Sequence, residues 1–369
     1  MSNEKISVLI IGDPHFKVNN VPDVDLFISK ITLLAEERNP DFIVILGDVL
    51  DTHERIHTIP LNKAYEFIDK MRNISETFIL VGNHDATSNQ IFLSNDHWMN
   101  GMKEWSNLTV VDRVVKHTIK GYEFVLVPYV PNGRFEEALN TTVNWKEATC
   151  IFAHQEFQGC KMGAIISTDG DKWDTTYPCI ISGHIHSRQK PQENIYYCGS
   201  SMQNAFGEST KNIIPYITFY DNENNTDDTK ILPYHLEEID LELPRKKIVY
   251  LDVENVDEYL QPQTQDKIKL TVSGSYEQFK ALKKTKKYKE LLEDGVKIVF
   301  KAKTMEGMND LLKNVNADNL DKDFENLSIL DKGSKKGKTD FINILDVIIN
   351  KKNDPYLTKT YELVVKGMC

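Results

Sequence analysis

Five short apolar runs, each cut off by a polar group, limit the folds open to this chain more than any other feature. Ile6–Ile11 (ISVLII) runs into Gly12-Asp13-Pro14-His15, and Asp41–Leu46 (DFIVIL) into Gly47-Asp48, with Asp51 shortly after. Thr77–Val81 (TFILV) is followed by Gly82-Asn83-His84-Asp85, CIFA by His154, and CIIS by Gly183-His184-Ile185-His186. Runs without polar alternation read as strands covered on both faces. Apolar residues at helical spacing in Asp23–Glu37 (Leu26, Phe27, Ile31, Leu33, Leu34) and a second helical stretch at Leu61–Met71 separate the first three. The order βαβαβ implies parallel strands joined by right-handed crossovers. In a parallel sheet the strand ends share one edge, where ligands bind. That edge would collect Asp13, His15, Asp48, Asn83, His154, His184 and His186 in one crevice.

The chemistry of this set points to metal. Residues i and i+2 of an extended segment project to the same side, so His184 and His186 aim at one place. Carboxylate and amide oxygens mixed with imidazoles suit Mn²⁺, Fe or Zn²⁺ rather than Ca²⁺. Seven donors are too many for one tetrahedral ion but fit two ions sharing a carboxylate. Two metals about 3.5–4 Å apart are a recurrent device for phosphoester hydrolysis. The glycines let the chain turn sharply and approach an ion or phosphate closely. Any one of these histidines alone would more simply be a core or loop residue; the ordered set is what carries the reading.

Taken in order, GDPH, GDVLD, GNHD, AH and GHIH resemble the calcineurin-like metallophosphoesterase superfamily. The resemblance implies an α/β fold: a sandwich of two mixed β-sheets flanked by helices. It also implies ester hydrolysis by metal-activated water. By the superfamily pattern Asp13, His15 and His186 hold one ion, Asn83, His154 and His184 hold the other, and Asp48 bridges. His84 would face the substrate and serve the leaving group, with Asp85 orienting it. The serine/threonine phosphatase branch fits poorly, because Thr52 stands where that group has Arg and Asp85 where it has Glu.

A closer resemblance is to the SbcD/Mre-type recombination nuclease subunit, including its phage versions. VLVPYVPN, GHIHSRQ and IYYCGSSMQNAFGE carry it, together with a small α+β domain and an apolar C-terminal helix after the phosphoesterase domain. What it implies is a DNA exonuclease/endonuclease of repair and recombination, with Mn²⁺ as the first choice of metal and Fe²⁺ or Zn²⁺ as alternatives. It further implies an SbcC-type SMC-like ATPase partner and a homodimer within a heterotetramer. Phe16-Lys17 replace the family's Leu-Gly, Asp51 stands where some members have His, and Ser200-Ser201 replace Ser-Pro. Lys17 and His53 are the candidate substrate-facing residues. Two other readings stay open: a small-molecule phosphodiesterase or phosphomonoesterase, and a metal-stabilised interaction subunit.

The organisation follows. Residues 1–243 would form the phosphoesterase domain, 245–331 a small α+β capping and DNA-binding domain, 332–338 (KGSKKGK) a flexible linker, and 339–369 a helical docking segment. Leu108–Ile119 reads as a hairpin, and Ser275–Asp294 as one helix stopped by Gly295. A net charge of −11 disfavours indiscriminate nucleic-acid binding, yet Asp266–Lys303 carries eleven lysines against five acidic residues. Lys283, Lys284, Lys286, Lys287 and Lys289 there, with Tyr276, Phe279 and Tyr288, form the candidate DNA track. On the final segment Phe341, Ile342, Leu345, Ile348 and Ile349 make an apolar stripe suited to partner docking. Five scattered cysteines without CxxC, no signal peptide and no long apolar span suggest a reducing, cytoplasmic setting away from membranes. The resemblance to phage members adds a viral source as an expectation.

Overall fold

In the computed structural model, which describes residues 5–53, 55–209, 211–220 and 234–302, all five apolar runs are strands. The chain divides at Arg245 and Lys246 into two units. In the first, the strands are β1 (Ile6–Ile11), β2 (Phe42–Ile45), β3 (Glu76–Leu80), β4 (Leu108–Val111), β5 (Val115–Ile119), β6 (Tyr122–Val127) and β7 (Cys150–His154). They continue with β8 (Lys161–Met162), β9 (Ile165–Ile166), β10 (Cys179–Gly183), β11 (Gln189–Gln192), β12 (Ile195–Tyr197), β13 (Ile214–Phe219) and β14 (Tyr234–Ile239). Its helices are α1 (Val21–Arg38), α2 (Thr58–Ile74) and the short α3 (Phe135–Leu139).

Two mixed six-stranded sheets result, ordered β14-β13-β1-β2-β3-β4 and β11-β12-β10-β7-β6-β5. Strands β1 to β4 run parallel, as do β6, β7, β10 and β12, with antiparallel pairs at the margins. The interior between the sheets is filled from both: Val8, Ile10, Phe42, Val44 and Phe78 from one, Phe124, Phe152, Ile181 and Tyr196 from the other. The outer face of the first sheet is covered by α1 and α2, and that of the second by α3 with Trp145 and Trp173. Each fully buried aliphatic or aromatic side chain contributes roughly 1.5–3 kcal/mol of transfer free energy.

The ligand-bearing strand ends therefore do not lie on one sheet. β1, β2 and β3 belong to the first sheet, β7 and β10 to the second. Buried runs look alike whichever sheet they join, so the single-edge expectation is replaced by convergence of two facing sheets. The hairpin expectation for Leu108–Ile119 is also corrected. β4 pairs parallel with β3, while β5 pairs antiparallel with β6, so the chain steps between sheets at Asp112–Val114. Asp112 anchors the step; it is buried and accepts from Lys103 and from His97 Nε2 (3.3 Å).

Helix α1 buries Val24, Phe27, Ile28, Ile31 and Ala35 at spacings of three and four, and Leu33 falls on the far side, 62% exposed. It ends at Asn39 in the left-handed region (φ 42°), whose N–H returns to the Ala35 carbonyl.

Among its described residues the second unit holds three parallel strands, β15 (Lys246–Asp252), β16 (Lys267–Gly274) and β17 (Lys297–Ala302), with α4 (Tyr276–Leu282) and α5 (Lys286–Glu293) between the last two. The expected single helix is thus two. Thr285 caps α5 by accepting the Tyr288 N–H (3.1 Å), an alternative hydrogen bond that ends the first helix. Gly295, at φ +76°, follows α5 as the sequence suggested. Leu270, Val272, Leu282, Leu291 and Val296 form its core. The proposed linker at 332–338 and docking residues Phe341, Ile342, Leu345, Ile348 and Ile349 lie outside the described residues. Among the described residues, no helix is long and apolar enough to cross a membrane.

Candidate metal centre

The first-sheet runs end level, with Ile11 beside Ile45 and Ile45 beside Ile79. In the second sheet His154 lies directly beside Gly183. The polar groups that follow meet in a buried cluster. Asp13, His15, Asp48 and His184 all adopt left-handed backbone, at φ 33°, 47°, 49° and 78°. Such φ values cost non-glycine residues energy and recur where a site fixes its side chains.

One set centres on Asn83, whose Oδ1 lies 3.0 Å from His154 Nε2 and 2.8 Å from His184 Nδ1. Asp48 Oδ2 is 3.3 Å from the same His154 Nε2. The His154 Nδ1–H donates to the Leu46 carbonyl (2.7 Å), which leaves Nε2 facing the two oxygens of Asn83 and Asp48. A second set faces it across Asp48. His15 Nε2 is 3.7 Å from Asp48 Oδ2 and 2.9 Å from His186 Nε2. His186 is steadied from behind by Glu208, whose Oε1 accepts from Nδ1 at 3.4 Å. Asp13 touches the first set: its Oδ1 accepts the His184 N–H (3.0 Å) and lies 3.4 Å from His154 Nδ1.

Carboxylate and amide oxygens and imidazole nitrogens that converge in this way form a donor set suited to a cation. The buried Asp13 Oδ2 and His15 Nδ1 have no hydrogen-bond partner. Burial alone would lower His154, but Asp48 and Asp13 outweigh it and push it up to about 9. Burial takes His15 down to about 3, with the neighbouring imidazoles His186 and His84 adding to the effect against Asp48. It takes His184 to about 3 as well, helped by His154. Both thus stay neutral, the form that ligates metal. Burial would raise Asp48, yet His154, His15 and His84 together hold it well below the usual carboxylate range. Burial lifts Asp13 to about 6, against the pull of His154. One ligand atom each from His15, Asp48 and His84 lie within 4.8 Å of one another, as do those of Asp48, His154 and His184. The donor set fits divalent ions on both sides of Asp48.

His84 stands at the rim of the cluster. Its backbone N–H donates to Asp48 Oδ1 (2.8 Å), and its Nδ1–H donates to the Asp51 carbonyl (2.9 Å). The expected orienting role of Asp85 is therefore corrected. Its carboxylate accepts from Gly82 N (3.1 Å), Trp98 Nε1 (2.9 Å) and Leu50 N (3.4 Å), whereas His84 Nδ1 is held by the Asp51 carbonyl. Of these donors only Gly82 belongs to the turn of Asp85 itself; burial and then Asp48 raise the Asp85 carboxyl to about 7. His53 stacks on His84 with centroids 4.5 Å apart and planes at 19°. Lys17 pairs with Asp51 (3.2 Å), itself 3.6 Å from His15 Nδ1. Sequence reasoning missed the roles of Glu208, the Asp51 carbonyl and Trp98. Only Glu208 had a signal, as the final residue of the segment that carried the closer resemblance.

The five lysines of the candidate DNA track lie on or beside α4 and α5 of the second unit. Lys283, Lys284, Lys286 and Lys289 are exposed and Lys287 is half-buried. Lys286 pairs with Glu290 (3.0 Å), and Lys283 lies over the Phe279 ring. Phe279 and Tyr288 pack on the small core rather than standing free beside the lysines, because they continue its apolar stripe.

A family model for calcineurin-like phosphoesterases matches residues 6–201, the span that holds every one of these metal-site donors. "Putative phosphoesterase 078R" of Invertebrate iridescent virus 3 is 48% identical over 305 residues, covering 81% of this chain and 85% of that protein. "Putative phosphoesterase 244L" of Invertebrate iridescent virus 6 is 49% identical over 286 residues, covering 77% and 99%. A dimetal phosphatase structure from Danio rerio aligns with 58% of this chain and 92% of that one, at 12% identity and a TM-score of 0.38, too remote to add weight. With half its length matched, relatives covered across 85% and 99% of their length, and donors that fit divalent metal, the chain belongs to the calcineurin-like phosphoesterases and shares their chemistry of phosphate-ester hydrolysis.

Proposed function

We propose that this phosphoesterase is a DNA nuclease working with two divalent ions, manganese first among them. One observation carries the two-ion reading: Asp48 belongs to both groups of potential ligands, with Oδ2 between His154 and His15. Asp13, His15 and His186 would hold one ion; Asn83, His154 and His184 the other. When bound, such ions acidify water and neutralise charge on the phosphoryl oxygens. The chain's own contribution is orientation and proton handling. The Leu46 carbonyl and Glu208 fix the rings of His154 and His186 through their Nδ1 atoms. With its Nδ1 held by Asp51, His84 has Nε2 free to give a proton to the departing alkoxide.

DNA as the substrate is supported by the SbcD/Mre-like motifs and by exposed lysines on the second unit, which can neutralise phosphates. The same resemblance supports an SbcC-type ATPase partner, a dimer within a heterotetramer, and a place in DNA end processing and recombination. Turnover of bis(p-nitrophenyl) phosphate, p-nitrophenyl phosphate and linear DNA with Mn²⁺ tests the reading. Diester and DNA cleavage, abolished by EDTA, is expected; strong monoester preference would instead indicate a small-molecule phosphatase.

His84→Ala is expected to retain bound metal while diester turnover falls about 10²–10⁴-fold, the usual scale of general acid–base contributions. Near-normal turnover by that variant would remove His84 from proton transfer.

A further inference from the structure

Beside the His84 ring, His53 forms one side of a cavity of about 570 Å³ that is open to the surface, with Ile56, Thr87, Asn95, Asp96 and Asn100 of its lining exposed. This volume is in the roughly 300–1,000 Å³ range of small-molecule sites, enough for one base and sugar but not for a duplex. Its surfaces are of two kinds. His53, Ile56 and Trp98 offer aromatic and apolar faces. Thr87 offers a hydroxyl; Asn95 keeps its amide N–H groups, its Oδ1 being taken by Lys103 (3.0 Å), and Asn100 keeps its Oδ1, its Nδ2 donating to the Asn95 and His97 carbonyls.

Charge narrows the ligand further. The lining includes no Lys or Arg; its titratable groups are His53, His97, Asp85 and Asp96, and the two carboxyl groups disfavour phosphate. A phosphate belongs instead at the ligand cluster, one imidazole away. A nucleobase, which carries donors and acceptors on its edge and a π-face for stacking, matches what remains.

We infer that this cavity is a nucleobase pocket, which receives the base on the leaving-group side of the scissile phosphate. The leaving side follows from the contact order: the cavity adjoins His53, His53 stacks on His84, and His84 is the proton donor to the departing oxygen. A base can enter only when it is out of the helical stack, so the substrate unit here is a single-stranded or frayed nucleotide. The inference rests on the phosphodiesterase reading above and adds the form of the substrate.

The test compares a thymidine oligonucleotide with an abasic oligomer of the same length, using the full Mn²⁺-loaded protein. The base-bearing strand should be cut at least about tenfold faster, in keeping with the effect of a single stacked base. Equal rates would overturn the pocket. Thr87→Trp, which sets an indole into the cavity from an exposed position, should collapse that ratio toward unity; an unchanged ratio also counts against it. Calorimetric titration with dTMP and with deoxyribose 5-phosphate supplies a reading free of turnover. Tighter binding of dTMP, weakened by Thr87→Trp, supports the pocket, and equal affinities refute it. Bis(p-nitrophenyl) phosphate separates the two failures: dTMP preference in a protein that cuts no ester would keep the pocket and remove the hydrolase reading.

Discussion

Asp48→Asn is expected to give a folded protein that no longer retains its ions and turns over diesters on the order of 10³-fold more slowly. The amide matches the carboxylate in size, so packing at this buried position is preserved. Its oxygen can still accept the His84 N–H, as Oδ1 does now at 2.8 Å. The other terminus is where the damage lies. An NH₂ in place of Oδ2 would donate to His154 Nε2, 3.3 Å away, and so occupy the lone pair needed for an ion. It would also remove the one negative charge shared by both ligand groups. Metal analysis after desalting, read beside thermal unfolding, checks this. A variant with full metal content and wild-type turnover would show that Asp48 is not the bridge.

The second large effect is expected from a residue with no side chain. A Cβ on Gly82 would sit 2.2 Å from Asp48 Oδ1 and 2.5 Å from the Asp48 backbone nitrogen. Neither atom can yield: one is a buried carboxylate that accepts the His84 N–H, the other is main chain. Gly47, at φ +102°, closes the opposite side, where its own Cβ would lie 2.9 Å from Gly82 N. Gly82→Ala should therefore displace Asp48, weakening metal affinity about 10–100-fold, as loss of supporting contacts around a ligand does. Overpacking should also cost about 1–3 kcal/mol of stability. Metal titration and a melting curve measure the two losses separately. Unaltered affinity would mean that the β2 and β3 turns are looser than their contacts indicate.

The convergence of the candidate donors was legible because each follows an unbroken apolar run, and in most cases a glycine. That pattern survives without knowing which sheet a strand joins. The sheet itself was not legible. VVDRVV between Leu108 and Ile119 looks like a hairpin, since periodicity reports burial and not pairing; the step between sheets depends on Lys103 and His97 reaching Asp112. Thr285 interrupts a helical stripe that otherwise continues through Phe279, Leu282, Tyr288 and Leu291, and its capping bond is a competition the spacing cannot reveal. Asp85 was given the wrong partner because adjacency in GNHD suggested one; in three dimensions the Trp98 indole and the Gly82 amide claim it, and a main-chain carbonyl holds His84.

Because Asp48 and Asn83 rise from one leaf of the sandwich and His154 and His184 from the other, the spacing of the candidate donors is gauged by how the leaves mesh. The aromatic filling formed by Phe42, Phe124 and Phe152, remote in sequence from most donors, acts as the spacer of that gauge. Close-packed interiors pass small displacements along. Thinning that layer would thus slide one half of the ligand set against the other, making catalytic geometry a property of the whole interior rather than of its rim.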